Sequence, residues 1–178
     1  MNASKAVIFQ KSGVGANPLA TSGMGTAALD CIISISGGDY ITFDGIDIRD
    51  DPANATANAQ MEWGYGIFAA STSNGSQNIT IRNCTITLNT ANTNATFGIR
   101  HYQSLVGTTT ASTPISRWGV HCNNAYYLNT IDGADNAIYV YSNSASWLGD
   151  GNTVGVGGGN IITNFSVGVS TYGIYFYY

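Results

Sequence analysis

The sequence predicts an all-β fold of stacked coils, a β-solenoid, and three observations carry that reading. Helix signals are nearly absent: Asn, Thr, Ser and Gly fill the chain, and apolar residues alternate with polar ones instead of recurring at three and four. Strand signals recur throughout, in IISIS, YITFDGIDI, NITIRNCTITL, AIYVYS and GIYFYY, each flanked by Gly, Asn, Asp or Ser. The strands also repeat. Laying DYITFDGIDI over QNITIRNCTI pairs Ile41 with Ile79, Phe43 with Ile81, Gly45 with Asn83, Ile46 with Cys84 and Ile48 with Ile86, at one constant offset.

Taken in order, DYITFDGIDIRD reads as two short strands broken at Gly45. Alternation turns Ile41, Phe43, Ile46 and Ile48 inward and Thr42, Asp47 and Arg49 outward, with Asp44 beside the corner. Gly45 and Asn83 both tolerate the left-handed backbone that a sharp corner needs. Asp47 and Arg49, two apart on one face, predict a weak surface ion pair. Asp39, Asp50 and Asp51 occupy turn positions before Pro52. In the second copy Cys84 points inward, where a thiol acts as a small hydrophobe. A third copy, NAYYLNTI, ends in Asn129-Thr130-Ile131, echoing Cys84-Thr85-Ile86. A second module interleaves with the first: Gly66-Ile67-Phe68, Gly98-Ile99-Arg100, Ala137-Ile138-Tyr139 and Gly173-Ile174-Tyr175. Two strand modules recurring with loops of variable length describe coils whose strands pair with their counterparts one turn along. An antiparallel sandwich is the alternative, but it requires no in-register self-similarity, and hairpin signals such as Asn74-Gly75 are few.

Composition limits the function classes. The chain has 178 residues, the size of one domain, and only 9% of them are charged. The net charge of −4 and the scattered basic residues argue against nucleic acid as a partner. No apolar run is long enough to span a membrane. Cys31, Cys84 and Cys122 form no CxxC and lie far apart, so the sequence indicates neither a zinc site nor a disulfide framework, and no cofactor. MNASKAVIFQ shows no secretory signal. TYGIYFYY stops in mid-strand, which predicts a segment of a longer chain or an end that another copy covers.

The modules GDYITFDGIDIRD, MEWGYGIF, GSQNITIRNCTITLNTANT with FGIR, GNTVGVGGGNIITNF and TYGIYFYY together resemble a repeat region of very large secreted surface proteins of Bacteroidetes. The opening AVIFQKSGVGANPLATSGMGT resembles the segment that precedes the first coil there. The resemblance implies a right-handed parallel β-helix, pectate-lyase-like, with residues 1–30 as lead-in or cap and 31–178 as coils of a single domain. It also implies export by the type IX secretion system to the cell surface or medium. It implies no one function, because this fold carries pectate lyases, polygalacturonases, tailspikes and adhesins alike.

Among chemical candidates, Asp44 and Asp47 are the pair for a polysaccharide lyase or glycoside hydrolase acting on the outer face, since general acid and base work on a sugar needs two nearby carboxylates. The second copy replaces them with Arg82 and Thr85, and no D-x-D-x-D-G spacing suggests calcium, so a solvated outer face is favoured. NTIDG faintly resembles the NTDG stretch of polygalacturonases, but the inserted isoleucine breaks it, and a corner followed by a strand is expected. His101 and His121 are expected to be structural. GVGGGN is expected to be a turn, lacking the lysine of a phosphate loop. Seven N-x-[ST] sequons, at Asn2, Asn54, Asn74, Asn78, Asn83, Asn94 and Asn164, read as composition. The aromatics are the stronger lead: Trp63, Tyr65, Tyr102, Trp118, Tyr139 and Tyr141 are the candidate ligand-binding residues, because flat rings beside hydrogen-bonding groups suit sugars. Others, such as Tyr126, Tyr127, Trp147 and Tyr172, belong to the same aromatic set. The alternative use of these rings is as stacked ladders along the outer face. The expected function is therefore a non-catalytic surface scaffold for adhesion or glycan contact. Head-to-tail self-association into filaments is the structural alternative.

Overall fold

The fold comes from a computed structural model describing residues 5–26, 29–143, 146–165 and 171–177. Among these residues the chain makes five turns, each contributing one strand to each of three sheets. The first turn gives β1 (Val7–Gln10), β2 (Leu19–Thr21) and β3 (Cys31–Ser36). The second gives β4 (Ile41–Asp44), β5 (Asp47–Arg49) and β6 (Trp63–Ala69). The third gives β7 (Thr80–Arg82), β8 (Thr85–Thr87) and β9 (Phe97–Leu105). The fourth gives β10 (Ala125–Tyr127), β11 (Thr130–Asp132) and β12 (Asn136–Tyr141). The fifth gives β13 (Thr153–Val154), β14 (Ile161–Thr163) and β15 (Tyr172–Tyr177). The sheets run β1-β4-β7-β10-β13, β2-β5-β8-β11-β14 and β3-β6-β9-β12-β15, and every pairing is parallel. This is the strand arrangement of a β-solenoid. Residues 1–30, expected as a lead-in or cap, contain β1 and β2, the first strands of two of the sheets.

The register follows the sequence repeat in the first two sheets. Phe43 pairs with Ile81 and Ile48 with Ile86, as the constant offset requires, and Thr130 pairs with Thr85. In the third sheet one expected match is displaced by two residues. Ile99 stands opposite Tyr65, and Ile67 stands opposite His101. The motif Gly64-Tyr65-Gly66-Ile67 offers two glycines, and Gly64 is the one equivalent to Gly98. A Cβ on Gly64 would press on Gly98 O and on Ile86; one on Gly98 would press on Ile131 and Ala137 O. Both therefore abut the isoleucine ladder of the second sheet, where only the smallest side chains fit. The matches of Ile99 with Ile138 and of Ile138 with Ile174 hold.

Inward positions form columns with one residue per turn. Ile48, Ile86 and Ile131 make one, all fully buried, with Ile162 packed beyond them. Phe43, Ile81 and Tyr126 make another, capped by Phe9 stacked on Phe43 at 4.9 Å. Each such buried side chain contributes roughly 1.5–3 kcal/mol relative to exposure. Ile41 and Ile46 are half-buried against this core, and Cys84 is buried, as alternation predicts.

The corners need positive φ, and the expected pair supplies it, with Gly45 at 67° and Asn83 at 55°. In the next turn the same place is held by Leu128 at 57°, a residue poorly suited to it. Buried and half-buried asparagines then complete the backbone hydrogen bonding. Asn129 Oδ1 accepts from Cys84 N at 3.1 Å while its Nδ2 donates to Ile81 O at 2.9 Å. Asn124 does the same for Ile79 N and Ser76 O. Asn160 repeats the role for Asn129 N and Tyr126 O. The sequon residue Asn54 is likewise committed, donating to Ala59 O at 2.7 Å. Asn2 lies outside the described residues. Gly155, Gly157 and Gly158 all have positive φ in the turn between β13 and β14.

Candidate functional site

The acidic pair lies on the outer face, and both members are engaged. Asp44 makes an ion pair with Arg82 at 2.8 Å, one turn along, and accepts from Asn83 Nδ2 at 2.6 Å. The Asn83 hydrogen bond, more than the Arg82 charge, holds the Asp44 carboxyl below its usual range. Asp47 Oδ1 accepts from Thr85 N at 2.7 Å and from Asn17 Nδ2 at 2.8 Å. The expected ion pair between Asp47 and Arg49 does not form: Arg49 Nε donates to Thr21 Oγ1 instead, across the sheet. Carboxylate oxygens already occupied by protein donors bind structure together well and are poorly placed for acid or base work on a ligand. Asp50 differs: it is buried, receives Ser22 Oγ, Met61 N and Asp51 N, and burial raises its carboxyl pKa.

The candidate aromatics separate into three groups. Tyr65 and Trp63 are buried and do not present faces to solvent. Tyr65 is part of the core, its hydroxyl donating to Ile46 O at 3.2 Å, because alternation in β6 turns it inward. Tyr126 is inward as well. Trp118 lies in a short turn and is 71% exposed, apart from the others. Tyr102, Tyr139 and Tyr141 are half-exposed on the third sheet, with Val140 buried between the latter two.

These last three belong to two columns that the repeat itself generates. Tyr102 stacks on Tyr141 with centroids 4.8 Å apart, and Tyr141 on Tyr177 at 5.0 Å. Tyr139 stacks on Tyr175 at 4.6 Å. Stacking turns ring faces toward one another along the solenoid, so ring edges and hydroxyls face out. Tyr175 and Tyr177 are not among the candidate ligand-binding aromatics, yet their offset from Tyr139 and Tyr141 marks them. Tyr178 lies outside the described residues.

Arg100 precedes this strip by one turn in the Tyr139 column and is 5% exposed. Its guanidinium carbon lies 4.1 Å from the Tyr102 ring centroid, 4.2 Å from Trp63 and 5.3 Å from Phe97. Burial lowers its pKa to about 10. Nothing in the hydrophobic pattern signalled it, since a cation at an outward position normally reads as solvated.

His101 and His121 are brought together inside. Their rings meet edge to face at 4.9 Å, and His101 Nδ1 lies 2.9 Å from the Tyr126 hydroxyl. His121 Nδ1 accepts from Ser76 N at 2.9 Å, which leaves Nε2 to donate to Tyr102 O at 3.3 Å. His101 stands in the column of Ile67 and Val140, replacing an aliphatic residue by a ring that pairs with Tyr126.

No family model, curated protein or solved structure matches this chain. Cys31, Cys84 and Cys122 are free thiols, and among the described residues no three His, Cys, Asp or Glu side chains cluster as metal ligands. No helix among them is long and apolar enough to cross a membrane.

Proposed function

We propose that this chain is a stretch of a right-handed parallel β-helix, of the kind it resembles in exported surface proteins, that serves as a non-catalytic scaffold and contacts glycans through the tyrosine strip of its third sheet. The observation that carries this reading is the pair of columns formed by Tyr102, Tyr141 and Tyr177 and by Tyr139 and Tyr175. Within each column the strand spacing places one phenol per turn, a regular row along which an extended chain can lie. Among the described residues the hydroxyls of Tyr139, Tyr141, Tyr175 and Tyr177 have no protein partner, so they are free to exchange hydrogen bonds with a ligand. The rings already stack on one another without a ligand, which reduces the ordering cost on binding. The committed state of Asp44 and Asp47 supports a non-catalytic role over polysaccharide cleavage.

The test is titration of neutral and acidic oligosaccharides against the chain, followed by tyrosine fluorescence or NMR. Tyr141→Phe keeps the ring column and removes one hydroxyl. It should weaken binding roughly 2- to 10-fold, the worth of a hydrogen bond, with no change in melting temperature. Absence of binding across neutral and acidic chains, or binding indifferent to Tyr141→Phe and Tyr139→Phe together, defeats the proposal. Cleavage of any chain that stops in Asp44→Ala favours the enzyme reading instead.

A further inference from the structure

Arg100 is a buried cation that makes no ion pair among the described residues. It is 5% exposed, and its Nε and Nη1 have no hydrogen-bond partner. Three aromatic rings surround the guanidinium, and the facing position in β6 is Gly66, where a Cβ would collide with Phe68 and Cys31. Cation–π contacts recover part of the hydration lost on burial, but they satisfy no N–H donor. Burying a charge without an ion-pair partner is unfavourable, so its presence at one specific place asks for a reason.

The place opens onto a cavity of about 290 Å³, lined by Trp63, Phe97, Arg100, Asn94, Thr109 and Glu62. That volume holds one small organic group and no more. Glu62 is buried too, and its carboxylate is fixed: Oε2 accepts from Asp30 N at 3.0 Å, and Oε1 from the amides of Asn92 and Asn94 at 3.2 and 3.1 Å. A carboxylate in the same cavity disfavours a compact, multiply charged anion. It suits a ligand that brings an acid group to Arg100 and hydroxyls to Glu62 and Thr109. Guanidinium and carboxylate match in shape and charge. Tyr102 is shared by this cage and the tyrosine strip, so Arg100 adjoins the strip.

We propose that Arg100 is an anion subsite that receives the carboxylate of an acidic sugar residue. The sugar assignment rests on the glycan reading of the tyrosine strip; the anion recognition by Arg100 does not. The probe is sodium glucuronate, with glucose, acetate and inorganic phosphate as comparisons, followed by the Trp63 indole N–H and the Arg100 Nε–H signals in NMR. Glucuronate should shift both saturably at millimolar concentration, and glucose should not. Arg100→Met, which keeps a flexible chain among the rings and removes the charge, should fold with an equal or higher melting temperature and lose glucuronate binding at least about tenfold. Arg100→Lys should retain part of it.

No saturable shift with any anion overturns the site. So does glucuronate binding that survives Arg100→Met. Should Arg100→Met fail to fold, the wild-type shifts together with Arg100→Lys decide. Phosphate binding as tightly as glucuronate overturns the sugar-acid assignment while leaving an anion site. The strip is judged separately, by neutral oligosaccharides and Tyr141→Phe, so loss of either reading is visible without the other.

Discussion

Acidification from pH 6.5 to pH 4 should remove about 3 kcal/mol of stability through His121 alone. Its Nδ1 accepts a buried N–H from Ser76 and its ring is enclosed, so a proton there would face a donor at 2.9 Å inside the protein. Burial accordingly pushes its pKa from 6.5 down to about 4. Each unit is worth about 1.4 kcal/mol, and the difference gives about 3 kcal/mol. The folded pKa is depressed, so the unfolded chain binds more protons than the folded one throughout this window. Stability is fully present above about pH 6.5 and falls as pH falls toward 4. His101, also buried and facing His121, shifts in the same direction and adds to the loss. Asp44, held low by Asn83, adds its own loss as pH falls into and below the ordinary carboxylate range. Asp50, raised by burial, acts with the opposite sign and offsets part. The assay is urea unfolding at a series of pH values between 8 and 4. With urea slopes of about 1–3 kcal/mol/M the midpoint should drop by roughly 1–3 M. His121→Asn, whose Oδ1 can accept the Ser76 N–H without titrating, should lower stability at pH 8 and flatten the profile. A midpoint that stays level or rises between pH 6.5 and 4.5 refutes the reasoning.

Two further outcomes follow from the corners. Leu128→Asn replaces a half-exposed leucine at a φ of 57° with a residue that tolerates the left-handed region. It should stabilise the fold by about 1 kcal/mol, read as a rise in melting temperature; a fall shows that packing of Leu128 over Gly158 outweighs its strain. Asn129→Leu, similar in size, leaves Cys84 N and Ile81 O without their partners in a buried corner. At about 1–3 kcal/mol for each orphaned group it should destabilise by roughly 2–6 kcal/mol, measured by the same urea midpoints, and a cost below about 1 kcal/mol shows that water reaches the corner.

The repeat was legible in sequence because it is written locally. Alternation fixed the facing of Ile41, Phe43, Ile48, Ile81 and Ile86, and Gly45 and Asn83 marked the corner, since both features depend on short-range backbone preference. The displaced match in the third sheet was not legible. A slip of two residues keeps every side chain on its face, so Gly66-Ile67 and Gly64-Tyr65 serve equally well on paper. Close contact of Gly64 with Gly98 and Ile86 decides between them in space.

The candidate site divides the same way. Alternation placed Tyr139 and Tyr141 outward around Val140, and the same repeat extends the columns to Tyr175 and Tyr177. It also set Asp44 opposite Arg82, which looked like a difference between copies and is an ion pair between turns. The cage around Arg100 and the meeting of His101 with His121 arise from loops of unequal length and from the irregular pairing of β9, which bring residues from several turns into contact. By itself the sequence determined the coil, its period and its inward columns, because parallel pairing repeats a local pattern. Only the tertiary structure decided which polar side chains are buried and what they meet, because burial depends on neighbours supplied by other turns.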